Sequence, residues 1–292
     1  MAADKLTKTT DITIKAREVD FVTSFTRNWT ALREVLGIMR PIRKAPGTTL
    51  TSYNATVTLE SGEVGEGEVI PYSQAKVAPV SHEELTIKKW AKAVSIESVE
   101  KYGAAAAVEM TDDEFLNELQ GEVMDDFYKF LQTGTLTDTK DTFQMGIAMA
   151  IGKVTDKFKK MHRDCTNVAV FVNTLDAYEY LGAAQVSIQT ANGLTYISNF
   201  LGASIVVLSS DIPQGKVIAT PVNNIVLYYV DPGDSDFAKL GLDYTVEGET
   251  NLIGFHANGN YSTAVGESFA LMGMKLWAEY LDAVAVITVS GE

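Results

Sequence analysis

Cysteine, histidine and long apolar runs are all scarce in this chain. Its single cysteine, Cys165, cannot form an internal disulfide, which fits a reducing compartment. The three histidines lie far apart and, with one cysteine, offer no zinc-ligand spacing. No apolar run approaches the ~20 residues of a membrane span, and the start MAADKLTK lacks a hydrophobic signal region. We expect a soluble protein made inside the cell, with no metal and no membrane partner.

Catalytic motifs are missing as well. His82-Glu83 lacks the second histidine of a metalloprotease helix, and no G-x-S-x-G elbow occurs. Cys165 follows His162 closely, but both residues fall at the end of one predicted helix, where an ordinary packed or exposed thiol is expected. The sequence therefore predicts no catalytic residues and no cofactor. A soluble enzyme without a recognisable active site stays open as an alternative.

Basic residues are also fewer than acidic ones. The chain has 292 residues with 24 Lys and Arg against 38 Asp and Glu, a formal net charge of −14. Such a chain is a poor electrostatic partner for nucleic acid, so any contact with it must be local. The 46% apolar and 21% charged content is that of a globular protein, large enough for one large domain or two ordinary ones.

The N-terminal arm, residues 1–48, carries apolar side chains at helical spacing, which predicts a helix over about residues 19–39. Arg40, Arg43 and Lys44 follow it. These cations suit a solvated helix end, where the helix dipole favours positive charge. For any single residue this interpretation is the favoured one; the alternative is that the arm faces packaged polyanion or an acidic neighbouring subunit.

An extended β-hairpin is predicted over residues 49–85. Tyr53, Ala55, Val57 and Leu59 alternate with polar residues, residues 61–67 form a Gly-rich turn, and residues 69–80 return with two prolines. The turn joins two strands, which excludes a phosphate-binding loop. An isolated two-stranded ribbon is marginal in water, so another chain or the body must complete it.

The tip of this hairpin is acidic, with Glu60, Glu63, Glu66 and Glu68 close together around Gly65. Acidic residues at such a tip provide solubility and edge protection. They could also dock onto a basic patch of a neighbouring subunit, and we predict Glu63, Gly65, Glu66 and Glu68 as subunit-contact residues.

Two long helices follow. Thr111 and Glu114 form a capping-box pattern at the start of a helix over 111–131, which has one apolar stripe and is followed by Gly134. A second helix is predicted over 141–162, with Lys153, Lys157 and Lys160 on one exposed face. Lysines are ordinary on the last turns of an exposed helix, so they are weak evidence for a nucleic-acid stripe.

From residue 168 the pattern becomes α/β. Buried strands are predicted at 168–172 and 204–208, a helix capped by Asn173 lies between them and stops at Gly182, and strands follow at 216–220 and 225–230. Long strands return from residue 251 to residue 289. The composition and order of these elements predict an α+β fold with short connections and no internal repeat.

These segments, in this order, resemble the major capsid proteins of tailed bacteriophages. LTIKKWAKAVSIESVEKYG and DEFLNELQGEVMDDFYKFLQTGT are similar to that family's approach to its long spine helix, and VAVFVNTLDAYEYLG to its strand–Asn–helix unit. The "DIPQGK" turn, the "YYVDP" strand end and the closing MKLWAEYLDAVAVITV also match the family pattern. The resemblance covers most of the chain from about residue 48.

The resemblance implies the Hong Kong ninety-seven capsid fold. Residues 1–48 would be the N-terminal arm, 49–85 the extended loop, 86–165 the peripheral domain with its spine helix at 111–131, 166–251 the axial domain, and 252–292 the returning peripheral strands. It implies a structural subunit in the virion capsid, assembled in the host bacterial cytoplasm as hexamers and pentamers, with a portal and non-specifically packaged double-stranded DNA. Arg40, Arg43, Lys44, Lys153, Lys157 and Lys160 would then face the genome.

Two departures from the family qualify this expectation. The predicted first helix begins within about twenty residues of Met1, so we expect that any scaffold is a separate protein or that none is needed. The hairpin holds only Lys76, far from its tip, with no identifiable partner for a Lys–Asn cross-link, so we expect a shell held by non-covalent contacts. An encapsulin compartment with the same fold remains the nearest alternative, and a tail-tube or surface-layer protein a weaker one.

Overall fold

A computed structural model describes residues 39–45, 47–165, 167–184, 189–191, 194–198, 200–222, 224–246 and 252–290. Within these residues the fold is α+β, with three sheets and five α-helices. The strands are β1 (Met39–Lys44), β2 (Thr49–Thr58), β3 (Gln74–Glu84), β4 (Ile87–Ser95), β5 (Leu136–Lys140), β6 (Val168–Asn173), β7 (Gln189–Ala191), β8 (Leu194–Ser198), β9 (Ile205–Ser209), β10 (Lys216–Pro221), β11 (Ile225–Val230), β12 (Ile253–Asn260), β13 (Val265–Ala278) and β14 (Ala285–Val289). The helices are α1 (Ile96–Tyr102), α2 (Met110–Leu131), α3 (Phe143–Lys160), α4 (Thr174–Ala184) and α5 (Ser235–Lys239), with a π-helical segment Ala105–Glu109 and a 3-10 turn Leu281–Ala283.

A seven-stranded sheet, in the order β5-β14-β10-β6-β9-β8-β7, carries helices on both faces. Its strand β6 reads VAVFVN, and every one of its residues is buried. Phe171 packs into the cluster that contains α2, whereas Val170 and Val172 pack into the cluster that contains α3 and α4. A strand covered on both faces needs a continuous apolar run rather than alternation, which is the pattern that predicted it.

A second sheet of five strands is built around β13, the longest strand at 14 residues. The first part of β13 pairs antiparallel with both β12 and β4, and its last part pairs antiparallel with β11. Strand β1 lies parallel to β11, with Met39 opposite Ile225. The predicted helix over residues 19–39 lies outside the described residues apart from Met39, which begins β1.

The 22-residue helix α2 lies between the two sheets, and its predicted apolar stripe is confirmed. Buried side chains recur every fourth residue at Leu119, Val123, Phe127 and Leu131. Carboxylates of α2 also form salt bridges with lysines of β4. The three pairs are Lys92 Nζ to Asp112 Oδ1 at 2.5 Å, Lys88 Nζ to Asp126 Oδ2 at 2.6 Å and Lys88 Nζ to Glu122 Oε2 at 3.1 Å. Helix α2 is thus a rod roughly 30 Å long, fixed along its length.

The start of α2 differs from the predicted capping box. Glu109 already has helical angles (φ −63°, ψ −51°), and the π-helical segment leads directly into α2, so no free helix end exists at Thr111. The Thr111 hydroxyl instead donates to the carbonyl oxygens of Ala107 and Val108, at 2.8 and 3.0 Å. The capping-box prediction was wrong because the residues before Thr111 continue the helix and already supply its carbonyl partners.

The end of α2 depends on a close approach. The helix stops at Leu131, and Gly134 then lies against the backbone of Val284, just before β14. A Cβ on Gly134 would lie 2.6 Å from the Val284 carbonyl oxygen, closer than atoms can pack. Glycine is therefore required here for the contact between chain segments.

Helix α4 begins at its predicted cap, Asn173, whereas the cap of α3, Thr142, was not predicted. The Thr142 side chain accepts from the Met145 amide at 3.3 Å, and Asn173 Oδ1 accepts from the Leu175 amide at 2.8 Å. On α3 the residues Ile147, Val154 and Phe158 form the buried face. Helix α4 continues past Gly182 to Ala184, so Gly182 does not end it.

The two large sheets draw strands from widely separated parts of the chain. Ile225–Val230, within the predicted axial domain, pairs with β13 and β1 in the five-stranded sheet. Ala285–Val289, within the predicted peripheral domain, pairs with β10 and β5 in the seven-stranded sheet. Such pairing is a long-range contact that local patterns do not specify. The predicted domain bounds stay predictions.

Candidate assembly surfaces

The β2–β3 ribbon is a sheet of its own, paired from Thr49 opposite Glu84 to Thr58 opposite Gln74. Cross-strand partners share a face of an antiparallel pair. One face carries Tyr53 opposite Pro79, Ala55 opposite Val77 and Val57 opposite Ala75, and we call these six residues the apolar ribbon face. All six side chains are exposed, with Tyr53, Val57 and Val77 at 73%, 62% and 64%. The face thus presents apolar surface that the described part of its own chain does not cover.

The acidic tip lies beyond these strands. Glu63, Gly65, Glu66 and Glu68 are exposed there, and the Gly65 amide donates to Glu68 Oε2 at 3.1 Å. Among the described residues, no salt bridge joins these glutamates to a cation of the same chain. The docking role of these residues stays a prediction.

The residues on the return side of the tip differ from the expected strand. Pairing begins only at Gln74, so residues 69–72 stand outside the ribbon's ladder, and we call them the flanking segment. Val69, Ile70 and Tyr72 are 88%, 71% and 96% exposed. Sequence reasoning assigned them to a strand and missed their exposure on all sides. The available signal was an uncharged run, VIPYSQA, between Glu68 and Lys76.

The cations of β1 contact acidic groups of their own chain. Arg40 Nη2 lies 2.5 Å from Glu279 Oε2. Arg43 lies 3.0 Å from Asp231 Oδ2 and 3.3 Å from Asp234 Oδ2. A hydrogen bond from the Asp236 amide, together with the charge of Arg43, holds the pKa of the Asp234 carboxyl below its usual value. Because these arginines are partly neutralised, they act as links within the five-stranded sheet as well as surface charges.

The remaining predicted genome-facing residues are also engaged. Lys44 Nζ lies 5.3 Å from the centre of the Tyr228 ring. The α3 lysines form three salt bridges, namely Lys153 to Asp138 at 3.2 Å, Lys157 to Asp282 at 2.5 Å and Lys160 to Asp156 at 2.6 Å. Their excess positive charge is consequently small. Whether these residues face packaged DNA stays a prediction.

The described residues offer few groups of side chains suited to metal binding or nucleophilic catalysis. Within the described ranges, no group of three or more His, Cys, Asp or Glu side chains could hold a metal ion. Burial raises the pKa of the Cys165 thiol, which disfavours the thiolate that a nucleophile requires. No described helix is both long and apolar enough to cross a membrane.

Comparison with solved structures identifies the fold. The chain is similar to a subunit of the mature capsid of bacteriophage PhiM1, at 7% identity and a TM-score of 0.58, covering 87% of this chain and 86% of that one. It is similar to the capsid of the Cyanophage P-SCSP1u at 10% identity and a TM-score of 0.52, covering 88% and 87%. The holo-SrpI encapsulin complex from Synechococcus elongatus PCC 7942 matches at 12% identity and a TM-score of 0.50, covering 97% and 91%.

No protein-family profile matches the sequence, and no curated protein matches it either. The similarity to the solved structures is one of fold, at identities too low to carry more. It confirms the predicted α+β phage capsid fold over most of the chain. Phage capsid and encapsulin chains share this fold, so the choice between them depends on other observations.

Proposed function

We propose that this protein is the structural subunit of an icosahedral capsid shell that encloses the double-stranded DNA genome of a tailed bacteriophage. The observation that carries the proposal is the apolar ribbon face, which the described residues of its own chain leave exposed in a protein with a capsid fold. A two-stranded ribbon is marginal by itself in water. Covering its apolar face with a second copy both stabilises the ribbon and joins the copies.

Many modest contacts suit such a role. Each exposed ion pair at the ribbon tip contributes on the order of 0–1 kcal/mol, so the acidic residues provide orientation more than affinity. In a closed shell every subunit gives and receives the same contact, and the contacts support one another. Weak individual contacts also allow misplaced subunits to leave during assembly.

The partners follow from this role. The subunit would form hexamers and pentamers in the host bacterial cytoplasm, with a separate scaffolding protein and a portal, and would end in the virion. The paired cations of β1 and α3 fit an inner surface that meets DNA without holding it tightly, because packaged DNA must also leave. We propose no catalytic role for any residue.

A second candidate is an encapsulin-type compartment. The encapsulin neighbour covers 97% of this chain, as full a match as the phage capsids give. The two candidates differ in what the shell contains. Particles purified from the native source would hold long double-stranded DNA in the first case and a protein cargo in the second.

Assembly of the purified full-length chain tests the shared part of the proposal. We expect sedimentation and negative-stain microscopy to detect closed particles, and hydrogen exchange at residues 49–84 to be fast in free subunits and slow in particles. Deleting residues 62–67 should impair assembly, whereas the unfolding free energy of the free subunit should change little. A monodisperse monomer at high concentration, with the ribbon amides already protected, would contradict the proposal.

A further inference from the structure

An apolar groove lies on the side of the five-stranded sheet where β4 runs into α1. It has a volume of about 400 Å³, and its floor and rim include Val94, Ile96, Val99, Val108, Tyr261 and Val265. We call these six residues the apolar groove. Ile96 is 60% exposed and Tyr261, in the turn between β12 and β13, is 100% exposed. An apolar groove of this size filled by water would hold roughly a dozen molecules at about 30 Å³ each.

We propose that this groove receives the flanking segment, residues 69–72, of a second copy of the chain. The inference rests on the proposed function, and it specifies where the donated ribbon ends. The flanking segment cannot be seated in its own chain's groove. Side chains in a groove are covered, whereas Val69, Ile70 and Tyr72 are 71–96% exposed. An occupant with this sequence must therefore come from another subunit.

The chemistry of the two surfaces agrees. Residues 69–75 carry no charge, and the nearest charged groups along the chain are Glu68 on one side and Lys76 on the other. Seating residues 69–72 in an apolar groove therefore buries no ionised group, which would otherwise have to be desolvated. Pro71 has no backbone N–H, so one fewer donor is left without a partner on burial.

The segment is also free to move into a neighbour. Because β3 begins at Gln74, the flanking segment makes no ladder hydrogen bonds that docking would break. From Glu84 at the base to Gln74, the ribbon spans ten residue steps, or about 34 Å at ~3.4 Å per residue. The segment is thus displayed well away from the base of its ribbon, as contact with another subunit requires.

The size of the contact is consistent with a shell rather than a free dimer. The exposed parts of the three apolar side chains offer roughly 350 Å² of surface, so both partners together would bury about 700 Å². Stable pairwise interfaces generally exceed about 1,000 Å² in total. The groove contact alone is therefore too small to hold two subunits together. It must act together with the contact made by the apolar ribbon face, and both contacts must be repeated by every subunit around the shell.

Photo-cross-linking of assembled particles tests the assignment. We would place the probe by Tyr261→p-benzoylphenylalanine, because this exposed aromatic position should tolerate another aromatic ring. Leu240→p-benzoylphenylalanine serves as the matched control, since Leu240 is 75% exposed and lies outside both the groove and the ribbon. Irradiated particles should yield a species of twice the chain mass from the first variant. Mass spectrometry should place the link in the peptide that contains residues 69–72.

A concentration series provides the second measurement. Tyr72→Ser should raise the subunit concentration needed for particle formation about tenfold, while Leu240→Ser should leave it unchanged. A link from position 261 to the first 38 residues or to another protein would identify a different occupant and overturn the assignment. Particles with no link to residues 69–72 would also overturn it, without affecting the proposed function. If no particles form under any condition, the proposed function fails first.

Discussion

Replacing Val77 by serine should separate assembly from folding. Val77 lies on the apolar ribbon face opposite Ala55 and is 64% exposed in the single subunit. Complete burial of a valine side chain contributes about 1.5–3 kcal/mol, so covering the exposed two-thirds on assembly contributes about 1–2 kcal/mol. Val77→Ser forfeits this gain at every ribbon contact. The association constant of that contact should fall about 5- to 30-fold, since 1.4 kcal/mol is a factor of ten.

The same change should hardly alter the unfolding free energy of the free subunit. An exposed substitution away from caps, cores and strained backbone usually alters the unfolding free energy by no more than about 0.5 kcal/mol. Light scattering across a subunit concentration series measures assembly, and urea unfolding of the unassembled chain measures stability. Thr56→Ser is the matched control, because Thr56 pairs with Lys76 on the opposite, polar face of the ribbon.

Equal assembly thresholds for Val77→Ser, Thr56→Ser and the unaltered chain would refute this reasoning. That result would mean that the apolar ribbon face stays in water in the assembled state. A loss of assembly accompanied by an equal loss of subunit stability would also count against it, since the effect would then arise within the fold.

Three further changes probe the fold itself by urea unfolding of the free subunit. Gly134→Ala should lower the unfolding free energy by about 1–3 kcal/mol, because its Cβ would lie 2.6 Å from a carbonyl oxygen. Its control is Gly121→Ala, at a helical position where an added Cβ would meet nothing within 4 Å, and this change should raise the unfolding free energy by up to about 1 kcal/mol. Lys92→Met should lower the unfolding free energy by about 1–3 kcal/mol, because it removes the Lys92 ammonium from its salt bridge with the largely buried Asp112 carboxylate, and the loss of this salt bridge should show as a weaker salt dependence. Burial raises the pKa of Tyr128 to about 12, whereas an unfolded tyrosine ionises near pH 10. The unfolded state therefore loses its proton first as the pH rises, so this group's contribution should fall by about 1.4 kcal/mol per pH unit between pH 10 and 12, a decline that Tyr128→Phe removes.

The candidate site illustrates a limit of local patterns. Alternation from Tyr53 to Leu59 predicted one strand of the ribbon and its apolar face, because side chains in a strand alternate between faces. The same rule misassigned residues 69–72, where the chain is extended but unpaired. Alternation cannot tell a paired residue from an unpaired one, since pairing depends on the partner strand and its register.

The cations show the same limit in electrostatics. The sequence places Arg40, Arg43 and Lys153 near other basic residues, which suggested basic patches. In the fold, Arg40 meets Glu279, which is 239 residues away along the chain. A charge run read along the sequence says nothing about acidic groups brought in from distant segments, and those groups determine the local field.

The sequence by itself determined the elements and their order: the ribbon, the long amphipathic helix, the buried strand VAVFV with its Asn cap, and the overall α+β class. Each depends on short-range rules of periodicity and capping, which operate within a few residues. Only the tertiary structure decided which sheet Ile225–Val230 and Ala285–Val289 join, which cations are neutralised, and which apolar side chains remain uncovered. Those outcomes depend on contacts between segments far apart in the chain, and the proposed assembly rests on the uncovered side chains.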